Sequence, residues 1–113
     1  MEKPSYLKTS RLFKLLSHQT RLRILDELRR GEACVCHLQA LLSKPQAYVS
    51  QQLQVLREAG VVTAEKDGLN VFYRLNDPLA EEILNQALGP VSGPTVLPDC
   101  PCPKCSGHRC GGK

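Results

Sequence analysis

The chain has 113 residues, a net charge of +4 and six cysteines. That is one small domain with room for a tail, short enough that a partner subunit would help it bury a core. Mild basicity permits nucleic-acid binding without demanding it, while 4% aromatics and no Trp argue against a single-strand binder built on base stacking.

The opening, MEKPSYLKTSRLFKLL, lacks the continuous apolar core of a secretory leader. No window approaches the roughly 18 apolar residues of a membrane span. The expectation is a cytoplasmic chain without membrane contact. There, clustered thiols stay reduced and more often bind metal or sense redox state than form structural disulfides. Leu7, Leu12, Leu15 and Leu16 suggest a first helix. A second runs from about Thr20 to Arg30, opened by Gln19 or Thr20, striped by Leu22, Leu25 and Leu28, and ended by Gly31. A short helix follows over Val35 to Leu42, broken at SKPQ. Pro45 suits the first turn of the next helix, which reaches about Ala59 with Val49, Leu53 and Leu56 inward and Gly60 as its stop. Two β-rich runs, VVTAEK and LNVFYRL, flank Asp67-Gly68 as a hairpin. DPLAEEILNQAL reads as a closing helix capped by Asp77, with Pro78 first and Leu79, Ile83 and Leu88 on its apolar side.

A short helix, a tight break, a second helix and a hairpin describe a winged helix-turn-helix, mainly α with a small β-hairpin. After Gly89 the composition changes: residues 89–113 hold five of the eight prolines, five of the eight glycines and four of the six cysteines. Residues 1–88 therefore read as the folded domain and 89–113 as a flexible tail without a core of its own.

The stretches TRLRILDELRRGEACVCHL, YVSQQLQVLREAGVV and KDGLNVFYRL together resemble the ArsR/SmtB family of metal- and stress-sensing bacterial repressors. The likeness runs from about Leu12 to Leu75. It implies a winged-helix homodimer whose first and last helices form the interface. It also implies binding to double-stranded operator DNA and release when an inducer binds. The residues agree with the DNA part. Gln46, Ala47, Tyr48, Ser50 and Gln51 lie near the start of the helix after Pro45. Gln can read adenine through two hydrogen bonds and Ser can contact base or phosphate. The family's base-reading positions fall on Gln46, Ala47, Ser50 and Gln51, with Ala47 in place of a frequent Ser and Gln52 in place of a frequent His. Lys66 and Asn70 belong to the expected wing tip, where Lys66 suits a phosphate. Arg11, Lys14, Arg21, Arg23, Arg29 and Arg30 read mostly as helix-surface charge.

EACVCHL resembles the family's ELCVCDL sensing motif, which places its two thiols on Cys34 and Cys36. The arsenic-sensing form has a third cysteine three residues later, where this chain has Gln39, and His37 stands in place of its Asp. On an ideal helix residues two apart point about 200° from each other, so both sulfurs reach one ion only if that turn is loosened. Zinc and cadmium usually take four ligands and arsenite three sulfurs, so two thiols leave the site incomplete. The tail offers Cys100, Cys102, Cys105 and Cys110 in a C-x-C-x2-C-x4-C pattern. A flexible segment from Leu88 to Cys100 spans about 20 Å on average and about 40 Å stretched, enough to reach either subunit's pair. Pro98, Pro101 and Pro103 restrict it to extended forms. His37 and His108 read as surface residues rather than ligands, and Glu81 and Glu82 as solvated charge.

The leading expectation is a dimeric repressor released by a thiophilic ion: arsenite or antimonite first, then Cd, Pb or Zn. A second keeps the DNA binding but makes the sensor a thiol switch, with Cys34 or Cys36 pairing to a tail cysteine under oxidant or persulfide. A third, of another class, is a metal-buffering or trafficking protein. An enzyme is not expected, since there is no Gly-rich phosphate loop and Cys-x-Cys has no adjacent general base.

Overall fold

A computed structural model describes residues 5–68 and 70–91, the side chains of Asp67 and Asn70 excepted. Its elements run α1 Tyr6–Leu16, α2 Gln19–Arg30, β1 Ala33–Cys34, α3 Val35–Leu42, α4 Gln46–Glu58, β2 Val62–Asp67, β3 Asn70–Leu75 and α5 Pro78–Leu88. The architecture is mostly helical with one small antiparallel sheet in the order β1-β3-β2.

Local chemistry explains the boundaries. The Ser5 hydroxyl accepts the Lys8 amide at 3.2 Å and starts α1. α2 begins after His18, whose side chain makes no capping bond. Pro45 precedes α4, and Gly60 ends it with φ +81°, a conformation that suits a residue without Cβ. Between α3 and α4 the chain turns through Ser43 in the left-handed region at φ 54°. Asp77 accepts the amides of Leu79 and Ala80 and caps α5, with Pro78 in the first turn.

One core joins all five helices. Leu12, Leu15 and Leu16 meet Ile24, Leu25 and Leu28, and Leu38, Leu42, Val49, Leu53, Leu56, Val61, Val62, Ala80 and Leu84 complete it. Leu53 and Leu56 are fully buried, which stabilises the fold by about 1.5–3 kcal/mol each relative to exposure.

Three readings of the sequence need correction. First, Ala33 and Cys34 form a strand that pairs with Tyr73 and Phe72 of β3, so the expected hairpin is a three-stranded sheet. Secondly, Asp67 pairs with Asn70, which places the hairpin reversal one residue later than Asp67-Gly68. Thirdly, α5 buries Ala80 and Leu84, while Leu79 and Leu88 are half exposed. Ala80 and Leu84 make the core contact with Ile83 packed beside them, and Leu79 and Leu88 are left outside. All four leucines that suggested the first helix lie in α1; Leu7 points outward at 63% exposure and Leu12, Leu15 and Leu16 enter the core. Among the described residues no helix is long and apolar enough to cross a membrane.

Candidate nucleic-acid interface and cysteine site

α4 buries Val49, Gln52, Leu53 and Leu56 and turns Gln46, Ala47 and Gln51 outward, with Ser50 half-buried beside them. At 100° per residue Gln46, Ala47, Ser50 and Gln51 share one face. Tyr48 does not. It lies half-buried at the seam with α2, where its hydroxyl donates to Thr20 Oγ1 at 3.2 Å. The Lys44 ammonium sits 5.8 Å from the centre of its ring. One position further round the seam, Arg21 Nε donates to Gln52 Oε1 at 2.9 Å, and Arg21 also reaches the Leu15 carbonyl. Two polar ties from the first turns of α2 thus hold the back of α4, while its polar front faces solvent. In the wing, Lys66 is exposed, and the side chain of Asn70 lies outside the described residues.

Arg23 is helix-surface charge as expected, whereas Arg21, Arg29 and Arg30 are partly buried in hydrogen-bonded ties. Arg21 braces α4, and Arg23 donates to the Leu41 carbonyl at the end of α3. Arg29, 2% exposed at its side chain, donates to Asp26, Asn85 and the Gly89 carbonyl and so pins α5 to α2. Arg30 bonds Asp26 and approaches Glu27 at 3.8 Å. Burial alone would raise the Asp26 pKa, but hydrogen bonds from Arg29 and Arg30 outweigh it and hold the carboxyl below its ordinary 3.8. Arg11 and Lys14 remain exposed on α1.

Cys34 ends β1 with extended backbone, φ −93° and ψ 171°, and directly precedes α3. Cys36 lies in the first turn of α3. Because Cys34 stands outside the helix, the 200° separation of two helical residues does not arise. The sulfurs already face each other, 2.8 Å apart, with Cys34 buried and Cys36 half-buried. His37 is no surface residue. It is 4% exposed, and its Nε2 lies 2.7 Å from Glu27 Oε2. That buried pair ties α3 to α2 directly behind the cysteines. Glu27 was missed because charged residues read as solvated. Its place between Ile24 and Leu28, on the apolar stripe, was the available signal.

Two sulfur donors suit a thiophilic ion. The described residues hold no group of three His, Cys, Asp or Glu arranged to bind a metal. Further ligands would come from elsewhere; Cys100, Cys102, Cys105, Cys110 and His108 lie outside the described residues.

Residues 18–64 match the family described as "Bacterial regulatory protein, arsR family". An uncharacterized HTH-type transcriptional regulator of Methanocaldococcus jannaschii is 41% identical over 85 residues, covering 74% of this chain and 93% of that protein. The chain belongs to the ArsR family. The arsenical resistance operon repressor of Escherichia coli is 40% identical over 89 residues, with 74% of each chain covered. The repressor SmtB of Mycobacterium tuberculosis is 44% identical over 66 residues, 58% of this chain but 49% of its own length, so the match spans about half of that relative. Among solved structures, HlyU of Vibrio cholerae superposes with a TM-score of 0.71 at 32% identity, covering 76% of this chain and 92% of HlyU. The AntR antimony-specific transcriptional repressor superposes at 0.68 and 34% identity, covering 78% and 83%. These relatives are transcriptional regulators, not enzymes, and this ArsR-family helix-turn-helix implies binding to operator DNA.

Proposed function

We propose that this ArsR-family chain is a homodimeric repressor that leaves its operator when a thiophilic ion binds Cys34 and Cys36, with cysteines of the tail completing the site. Arsenite and antimonite lead the candidate inducers, followed by Cd, Pb and Zn. One observation carries the reading: the two sulfurs converge where the wing sheet meets the helix-turn-helix. Cys34 is bonded through β1 to β3, a strand of the wing, and Cys36 rides on α3, which packs against α4. An ion held by both sulfurs therefore bridges the joint between the wing and the helix that supports the reading helix. An operator fitted to one relative placement is bound less well in the other. The names of the arsenical resistance operon repressor and the antimony-specific repressor support the order of inducers.

In DNA binding, Gln46, Ala47, Ser50 and Gln51 face the major groove, Lys66 meets phosphate, and Tyr48 positions α4 rather than reading bases. Twelve residues beyond Leu88, Cys100 opens the donor set of Cys100, Cys102, Cys105 and Cys110. Dimerisation uses the apolar side chains left outside on α1 and α5, Leu7, Phe13, Leu79 and Leu88.

A panel of arsenite, antimonite, Cd, Pb and Zn, titrated anaerobically with reductant onto the complex with DNA from its own promoter, tests this. Release is expected at the lowest dose for arsenite or antimonite, and at higher doses for a chain ending at Gly89. No release by any ion, with release by oxidant alone, would overturn the ion-sensing reading.

A further inference from the structure

We infer that Cys34 and Cys36 form a reversible thiol–disulfide site within one chain, closed by peroxide-class oxidants, that needs no cysteine of the tail. The two sulfurs lie 2.8 Å apart, so about 0.8 Å of approach brings them to bonding distance. Val35 between them is helical, which sets the two Cα atoms about 5.5 Å apart, within the range that a disulfide spans. The two thiols also differ in a useful way. Cys36 is half-buried and open to a small oxidant, whereas Cys34 is buried behind it.

The chemistry follows that asymmetry. The Cys36 sulfur attacks one oxygen of hydrogen peroxide; the O–O bond breaks and water leaves with the thiol proton, giving a sulfenic acid. Cys34 Sγ then attacks the sulfenyl sulfur; the S–S bond forms, the S–O bond breaks, and a second water leaves with the Cys34 proton. Two thiols lose two electrons and two protons, and one peroxide becomes two waters. A thiol reductant reverses the sequence by exchange. Contact distance makes Cys34 the resolving thiol ahead of any group that must diffuse to the site. A bridge around one intervening residue closes a very short loop and gains little from restricting the unfolded chain, which marks it as a switch rather than a staple.

Closure has one consequence that rests on the ion-sensing reading: the bridged pair has no thiolate to offer, so oxidation disarms the response to thiophilic ions. The site thus answers two chemistries, and each excludes the other.

The test uses the full-length chain with C100S, C102S, C105S and C110S, which leaves Cys34 and Cys36 as its thiols. Peroxide should remove the mass of two hydrogens per chain and abolish alkylation at both positions, with no species linked between chains on a non-reducing gel. Dithiothreitol should restore both thiols. Phenylarsine oxide, which takes two thiols, should bind the reduced chain and not the oxidised one. Adding C36S should block bridging while circular dichroism stays that of the parent. Arrest at a sulfenic or sulfinic acid with Cys34 still alkylatable, or linkage between chains, would overturn the inference. Both results are read from mass and thiol counts, so neither depends on whether any ion releases DNA.

Discussion

At Asp26 two effects act in opposition, and the paired arginines win. The folded carboxyl titrates below the unfolded one, so its stabilisation is fully present above the unfolded value and is lost as pH falls through the depressed folded value. Wild type should therefore lose stability more steeply than Asp26→Asn as pH drops below about 4, in urea midpoints measured across that range. If both lose stability in parallel, Asp26 is not the group responsible. Arg29 tests the same cluster from its other side. With its side chain 2% exposed, Arg29→Ala leaves Asp26, Asn85 and the Gly89 carbonyl without that donor. A loss of about 2–4 kcal/mol in urea unfolding is expected, well beyond an exposed-charge substitution. A loss under about 0.5 kcal/mol would mean that water replaces the guanidinium at little cost.

At the scale of elements, the helices were legible because apolar spacing and end signals agreed. Val35 to Leu42 matched α3, and Val49, Leu53 and Leu56 matched the buried side of α4. The two-residue β1 was not legible, since Ala33 and Cys34 carry no periodicity and become a strand only by pairing with β3. This one omission also misplaced the sulfurs, because the expected 200° divergence assumed that both cysteines were helical. Leu79 and Leu88 read alike with Ile83 as the closing helix's apolar side, because a single chain's sequence does not separate apolar residues that it buries from those that it leaves exposed. On α4 the structure divides residues that the sequence grouped. Gln51→Ala should weaken promoter binding by about 1–3 kcal/mol and relax base preference at one position, with thermal stability unchanged. Tyr48→Phe, which removes the bond to Thr20, should instead lower stability by about 0.5–1.5 kcal/mol and leave base preference intact. Base-preference profiling together with melting curves separates the two roles, and altered preference in Tyr48→Phe would return that residue to the reading face.

Across the whole molecule, α1 and α5 bury part of their apolar residues in the core and leave Leu7, Phe13, Leu79 and Leu88 exposed. In the proposed dimer, these large exposed apolar side chains form the association surface. Leu79→Glu with Leu88→Glu should shift the chain from dimer to monomer in sedimentation equilibrium and abolish promoter binding, while circular dichroism stays unchanged. A double variant that remains dimeric would place the interface elsewhere. The same scale holds the central claim, the proposal that ion binding at one joint is felt by both the reading helix and the wing. The most direct measurement is an anaerobic arsenite titration of the promoter complex, with wild type beside Cys34→Ser/Cys36→Ser. Wild type should lose affinity by about tenfold or more, and the double variant should bind the promoter normally and stay bound throughout. Release of the double variant at the same arsenite doses would contradict the account.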